Sequence, residues 1–156
     1  MAQHTVEKIG GTSMSQFDQL LDTILIGNRT GDDLYNRIFV VSAYGGITNL
    51  LLEHKKSGKA GVYQKFAEQD SSWTEDLDQV VVEMCKINQS LEACGLDLQI
   101  ADTFVKDRVN GIKVCLQDLL RLCSYGHFQL EDYLLVVREL LSSIGEAHSA
   151  FNSVEI

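Results

Sequence analysis

Short apolar segments and glycine pairs alternate along the first fifty residues. His4–Ile9 is predicted to be a short strand that ends at Gly10-Gly11. Ile38–Val41 is a continuous apolar run, which is typical of a strand buried on both faces of a parallel sheet. It leads to a second glycine pair, Gly45-Gly46. Because each strand is followed by a glycine turn and a helix, the pattern predicts a β-α-β unit with a right-handed crossover.

The segment between the two strands predicts one helix and one loop. Ser13 or Ser15 is the predicted N-cap, and Gly27 ends the helix. Its apolar face follows the spacing i, i+3, i+4, i+7, i+8: Phe17, Leu20, Leu21, Ile24 and Leu25. A polar loop covers Asn28–Asn36, and a further helix begins after the second glycine pair, over Ile47–His54.

The remainder of the chain predicts helices. Ser72–Glu75 fits a capping box and opens a helix closed by Gly95. A longer helix ends at Tyr125-Gly126, a shorter one covers about 131–141, and Ser142–Ala150 is the start of another. Their apolar faces favour a helical layer packed on itself and on the sheet. An exposed, partner-binding bundle is the alternative.

Composition narrows the class of protein. The 156 residues, 45% hydrophobic and 22% charged, suit one globular domain or part of a larger one and exclude disorder. No apolar run reaches the roughly 18 residues of a membrane span. A net charge of −9 argues against a nucleic-acid-binding surface. The absence of proline favours long, uninterrupted helices.

The cysteines indicate a reducing compartment. Four thiols without a C-x-x-C pair lie in apolar helical patterns, and we expect them to be small buried side chains: Cys85, Cys94, Cys115 and Cys123. The N-terminus shows no secretory signal, so we expect a cytoplasmic protein.

Both glycine turns carry residues suited to anions. Parallel strands bind ligands beyond their carboxyl ends, where glycines allow close approach of the backbone and helix N-termini favour negative charge. The first turn combines Lys8 with the hydroxyls of Thr12 and Ser13, and the second has Ser42 and Thr48. One such turn alone is explained by a tight turn and a helix cap. Two on adjacent strands favour a phosphate-binding site.

Three segments resemble the blocks of a known family. Val6–Met14 resembles the N-terminal signature of aspartate kinases, with Ile9 at the usual aromatic position. Val40–Asn49 resembles the second block, Ser-Ala-x-Gly-Gly-x-Thr-Asn, and Ser143–Ala150 the third, Ser-x-Gly-Glu-x-x-Ser-Ala. The blocks occur in family order, and the chain is most similar to the aspartate kinases associated with ectoine biosynthesis.

The resemblance implies an α/β fold: the N-terminal part of the three-layer α/β/α sandwich of amino acid kinases (the carbamate-kinase-like fold), with a large helical insert. Residues 1–156 would then be a partial catalytic domain. It comprises a β-α-β core at 4–55, a helical layer at 72–143 and the start of a substrate-binding helix at 143–156. The second half of the catalytic domain, with the adenine pocket and an essential arginine, and the ACT domains are expected outside this chain.

The resemblance also implies a role for each site residue. Lys8 is the catalytic residue that contacts the transferred phosphoryl group. Gly10, Gly11, Thr12 and Ser13 bind phosphates together with Lys8. Ser42, Thr48 and Glu146 bind aspartate, and the Glu146 carboxylate holds the substrate ammonium.

The implied reaction transfers the γ-phosphoryl group of ATP to the side-chain carboxylate of L-aspartate, giving 4-phospho-L-aspartate. ATP enters as its Mg²⁺ complex, and no protein-bound metal is expected. The complete protein is expected to be a homo-oligomer without nucleic-acid or membrane partners. Two alternatives remain: a non-catalytic fragment or subunit that needs a C-terminal partner, and another amino acid kinase.

Overall fold

A pair of parallel strands and a layer of long helices make up the fold. The computed structural model describes residues 4–54 and 56–156. In chain order the elements are β1 (Thr5–Ile9), α1 (Gly11–Met14), α2 (Phe17–Leu20), a π-helical turn (Leu21–Leu25), α3 (Asp32–Tyr35), β2 (Arg37–Val41), α4 (Ile47–Leu51), α5 (Val62–Ala67), α6 (Trp73–Leu91), a 3₁₀ turn (Glu92–Cys94), α7 (Leu98–Ser124), a second 3₁₀ turn (Leu130–Tyr133) and α8 (Leu134–Glu155). Residues 1–3 and 55, which fall within the predicted units 1–156 and 4–55, lie outside the described residues.

The predicted parallel strand pair is confirmed. β1 and β2 pair in parallel, with Thr5 opposite Arg37 and Ile9 opposite Val41. The Arg37 guanidinium joins the strands by two hydrogen bonds, at 2.7 and 2.6 Å, to the Glu7 carboxylate. It also donates to two backbone carbonyls of the π-helical turn. One arginine therefore fixes the strand pair and the segment that connects the strands.

The prediction that the second strand is buried on both faces is wrong for this chain. Ile38 and Val40 are 51% and 50% exposed, and Val6 beside them is 68% exposed. The opposite face, with Phe39 and Val41, packs against the core. A strand is buried on both faces only where elements cover both sides of the sheet. Among the described residues, packing elements cover one side.

The predicted helical layer forms from α6, α7 and α8. α7 packs on both α6 and α8, and α8 also contacts β2 and α4. One continuous apolar core therefore runs from the strand pair into the helices, as the prediction of a layer packed on itself and on the sheet requires. Gly95 ends the α6 segment with a left-handed backbone, and the Asp97 carboxylate caps α7 by accepting from the backbone N–H groups of Gln99 and Ile100.

The helix ends differ from the prediction in two places. No capping box forms at Ser72, because the Asp70 carboxylate accepts the Ser72 backbone N–H instead, at 2.9 Å. α8 is one helix from Leu134 to Glu155, so the predicted helix end near residue 141 and the predicted new start within Ser142–Ala150 are wrong. Gly145 is buried in the middle of this helix. Its role is close packing rather than helix termination.

The predicted helix after the first glycine turn is interrupted. The segment forms α1, α2 and the π-helical turn, each of four or five residues. The predicted loop at 28–36 contains the one-turn helix α3. The Ser15 hydroxyl donates to the Gly11 carbonyl, and a side-chain bond of this kind competes with continued helix.

The cysteine prediction holds only in part. Cys85, Cys94 and Cys123 are half-buried, whereas Cys115 is exposed. Helical periodicity places Cys115 one residue before the buried Leu116, and neighbouring residues of a helix face different directions.

Candidate functional site

The carboxyl ends of β1 and β2 bring the two glycine turns together. The backbone N–H of Ser42 donates to the Ile9 carbonyl at 3.0 Å, which extends the ladder one step beyond the strands. The first turn (Gly10–Ser13) and the second turn (Ser42–Gly46) therefore start side by side. The sequence prediction that both turns lie at one edge of a parallel sheet is confirmed.

The two turns touch through Gly11. A β-carbon at this position would lie 2.8 Å from the Ala43 carbonyl oxygen, closer than van der Waals contact allows. Only glycine permits this approach without displacing the second turn.

Ser15 joins the same two turns by hydrogen bonds. Its hydroxyl accepts from the Gly45 backbone N–H at 2.9 Å and donates to the Gly11 carbonyl at 3.0 Å. The sequence pattern indicated Ser13 or Ser15 as a helix cap, and neither side chain caps α1. Ser15 instead links the turns, a role that spacing along the chain could not show.

Lys8 brings positive charge to the first turn. Its side chain is exposed, and the ammonium nitrogen lies 3.8 Å from the place where a β-carbon of Gly10 would stand. Thr12 and Ser13 are exposed in the following single helical turn. Lys8, Thr12 and Ser13 are thus all exposed at the first glycine turn, and the Lys8 ammonium lies beside Gly10.

α8 packs directly on the second turn. A β-carbon at Gly145 would lie 2.7 Å from the Ala43 β-carbon and 3.3 Å from Cγ2 of Ile47. Ser42 precedes Ala43, and Thr48 follows Ile47; both are half-buried. The close contact at Gly145 therefore sets the third motif against Ala43 and Ile47, the chain neighbours of Ser42 and Thr48.

Glu146 follows Gly145 and is exposed. Among the described residues no hydrogen bond or ion pair reaches its carboxylate, and none joins Lys8, Thr48 and Glu146 to one another. The helix-start explanation for this acid does not apply, because Glu146 lies twelve residues beyond the first residue of α8. Its carboxylate is free to meet a cationic group of a ligand.

Beneath the second turn lies a buried polar cluster of Tyr44, Asn88, Asp102, His148 and Asn152. Asn88, His148 and Asn152 are fully buried. Burial lowers the pKa of His148 to about 4 and raises the pKa of Tyr44 to about 12. Both side chains are therefore neutral at pH 7. The sequence signal for this cluster was weak: Asn88 stands among apolar residues on the predicted inner face of its helix.

Several clefts border the helices of the described residues. One of about 560 Å³ lies between α4 and α6 and includes Gly45, Gly46 and Asn49. Another, of about 580 Å³, lies between Trp73 and Leu130 and contains none of the predicted site residues. Across residues 4–54 and 56–156, no cluster of His, Cys, Asp and Glu side chains could hold a metal ion. Within the same ranges, every helix is too short or too polar to cross a lipid bilayer.

Comparison with known proteins finds a curated relative that is similar along nearly the whole chain. The chain is 56% identical over 153 residues to aspartate kinase Ask_Ect of Stutzerimonas stutzeri (strain A1501). The match includes 97% of this chain and 32% of that protein, so the chain spans about a third of its relative's length. No protein-family model matches the chain, and no solved structure matches it. The resemblance predicted from the three motifs is thus confirmed: along nearly its whole length, this chain is similar to an aspartate kinase.

Proposed function

We propose that this chain is part of an aspartate kinase catalytic domain with the amino-acid-kinase α/β/α fold. It acts in the transfer of the ATP γ-phosphoryl group to the side-chain carboxylate of L-aspartate. The observation that carries the proposal is the meeting of all three motifs, through Gly11, Ala43 and Gly145, beside the carboxyl ends of β1 and β2. The relative named aspartate kinase supports the same function.

The chemistry of the reaction matches the residues that face solvent here. A carboxylate nucleophile with a pKa near 4 is already ionised at pH 7, so no general base is needed. The difficulty is repulsion between this anion and the anionic phosphate. Lys8 supplies positive charge beside Gly10, and the backbone of the first turn supplies N–H dipoles. Under this proposal, Lys8 stabilises the transferred phosphoryl group.

The remaining roles divide between the two substrates. Gly10, Gly11, Thr12 and Ser13 hold the phosphates of ATP, which enters as its Mg²⁺ complex. Ser42 and Thr48, on either side of the Gly145 contact, bind aspartate. The exposed Glu146 carboxylate holds the aspartate ammonium, which distinguishes an amino acid from a plain dicarboxylate.

The proposal extends to the pathway and to assembly. Production of 4-phospho-L-aspartate is the first step in making aspartate-derived amino acids, and the motif variant of this chain favours a link to ectoine. The complete protein is proposed to be a homo-oligomer.

Glu146→Gln in the complete protein tests the function. The change keeps size and removes the charge, and a charge-assisted hydrogen bond contributes roughly 1.5–3 kcal/mol. We expect kcat/KM for aspartate to fall about 10- to 150-fold. KM for ATP and the melting temperature should stay unchanged, because Glu146 is exposed and faces the amino acid.

Glu139→Gln is the matched control, since Glu139 is another exposed acid of the same helix, outside the motif. It should leave the kinetics unchanged. Equal loss in both variants, or normal aspartate kinetics in Glu146→Gln, would contradict the assignment. A wild-type enzyme that prefers glutamate to aspartate would instead indicate another amino acid kinase.

A further inference from the structure

The buried polar cluster connects two of the motif segments to helices that carry no motif. Asn88 lies on α6 and Asp102 on α7, whereas His148 and Asn152 lie on α8. Tyr44 belongs to the second glycine turn. The cluster is therefore a place where the helical layer meets the second glycine turn.

Asn88 is the centre of the cluster. Its side-chain N–H donates to the Asp102 carboxylate at 2.9 Å. This bond fixes the orientation of the amide, because a carboxylate only accepts. Burial opposes ionisation of Asp102, but hydrogen bonds from Asn88 and Cys85, with the nearby Lys106 ammonium, hold its pKa below the ordinary value.

The Asn88 oxygen consequently faces α8. It accepts from the Asn152 side-chain N–H at 2.9 Å and lies 2.7 Å from Nε2 of His148. Because the Asn88 oxygen can only accept, Nε2 of the neutral imidazole carries the proton. Two bonds, spaced four residues apart on α8, thus fix the rotation of that helix about its axis.

His148 extends the connection to the second turn. The His148 and Tyr44 rings pack in an edge-to-face arrangement, with centroids 5.1 Å apart and planes at 63°. Tyr44 directly precedes Gly45, and His148 follows Glu146 by two residues. The hydrogen bonds and ring contact of the cluster include no residue of the first turn.

A buried polar cluster contributes less to the free energy of folding than apolar packing usually does. Buried polar side chains lose hydration, and apolar side chains of similar volume often give equal or greater stability. Among the described residues, the Tyr44 hydroxyl, Nδ1 of His148 and Oδ1 of Asn152 have no hydrogen-bond partner. The hydrogen bonds that the cluster does form nevertheless favour one arrangement of the elements they join. The feature selected here is the placement of α8 against the second turn.

We propose that Asn88 is a positioning residue for the amino-acid side of the site. Through His148 and Asn152 it sets α8, and through the His148–Tyr44 contact it sets the second turn, so that Glu146 and Thr48 keep one relative placement. The inference rests on the proposed function, since it concerns the site for aspartate. It assigns the α6–α7 helices a role in substrate binding.

The test compares three variants of the complete protein at a temperature where each is folded. Asn88→Leu removes the centre of the cluster and leaves its partners unpaired. The triple variant Asn88→Leu/His148→Phe/Asn152→Leu replaces the three fully buried polar members of the cluster with apolar side chains of similar size. Leu116→Ala, in the buried face of α7 and outside the cluster, is the control for lost stability alone.

We expect Asn88→Leu to lower the melting temperature and to raise KM for aspartate about 10-fold or more, with KM for ATP within about twofold of wild type. The triple variant should regain melting temperature while its KM for aspartate stays raised. Leu116→Ala should lower the melting temperature without changing KM for aspartate. If aspartate KM returns to the wild-type value in the triple variant, or rises in Leu116→Ala as much as in Asn88→Leu, the positioning role is overturned.

Asn152→Leu covers the case in which the triple variant does not fold. It keeps the hydrogen bonds of Asn88 to His148 and Asp102 and removes the hydrogen bond from Asn152 of α8 to Asn88. A KM for aspartate raised at least about threefold, at unchanged KM for ATP, supports the proposal, and an unchanged value overturns it. Absence of aspartate phosphorylation by the wild-type protein would overturn the proposed function itself. An active wild type with unaffected variants overturns only the positioning role.

Discussion

The pKa values of His148 and Glu7 are both moved far below their ordinary range, for different physical reasons. Burial without a charged hydrogen-bond partner favours neutral His148, whose pKa falls from 6.5 to about 4. The Arg37 guanidinium, hydrogen-bonded to Glu7, lowers the pKa of that carboxyl from 4.5 to about 2. Both residues favour the folded state at neutral pH, but they lose that effect in separate pH ranges.

His148 predicts a loss of stability in mild acid. Below pH 6.5 the unfolded chain binds a proton at this residue, whereas the folded chain binds it only near pH 4. The free energy of unfolding should therefore fall by up to about 3 kcal/mol between pH 6.5 and pH 4. Urea titrations across this range measure it.

His148→Gln should remove most of that pH dependence, and His127→Gln, at an exposed residue, should retain it. Glu7 contributes its own loss at lower pH, between about 4.5 and 2, so the two effects are separable. An unchanged slope between pH 6.5 and 4 in His148→Gln would show that His148 is not the residue responsible.

At the scale of elements, α8 decides how the three motifs meet. Its glycine is not at a helix end, where glycine is usual, but in the middle, against Ala43 and Ile47. Glycine costs a helix roughly 1 kcal/mol relative to alanine. Close packing against the second turn is the compensating reason for its presence here.

Gly145→Ala should destabilise the chain by about 1–3 kcal/mol despite the better helix propensity of alanine, because the new methyl group would overlap the Ala43 β-carbon. The matched control is Gly111→Ala. Gly111 is exposed within α7, and an added β-carbon there meets no atom within 4 Å.

Gly111→Ala should stabilise the chain by about 0.5–1 kcal/mol through helix propensity alone. Thermal or chemical unfolding of both variants gives the comparison. Stabilisation of equal size in both would mean that α8 does not press on the second turn.

At the scale of the whole molecule, one apolar core joins the strand pair to the helical layer. One sheet face, with Val6, Ile38 and Val40, stays open among the described residues. The curated relative is about three times as long as this chain. By resemblance, the adenine pocket and an essential arginine are expected in the second half of the catalytic domain, which this chain does not span.

We therefore expect the 156-residue chain on its own to show no turnover of ATP with aspartate. A coupled assay for ADP release, with the complete protein as positive control under the same conditions, measures this. Mass in solution, alone and mixed with the remaining part of the complete protein, tests whether the chain acts as a subunit that needs a partner. Steady phosphorylation of aspartate by the 156-residue chain would contradict the expectation.

Local features of the fold followed from local sequence. Gly95 and Gly126 mark helix ends, with the left-handed backbone that glycine accepts. The apolar run before Gly45 predicted β2, and the helical periodicity predicted α6 and α7. α5 escaped prediction, because its two fully buried residues, Val62 and Phe66, span a single helical turn and so set up no repeating pattern.

The sequence by itself determined the strand ends, the two glycine turns and the three motifs, because backbone preference and hydrophobic period act over a few neighbouring residues. Only the tertiary structure decided that Ser15 bridges the turns, that α8 runs unbroken through Gly145, and that Asn88 holds His148. These residues are 30 to 102 positions from the segments they contact. Contacts at such separation depend on how whole elements pack, a geometry that no local period along the chain encodes.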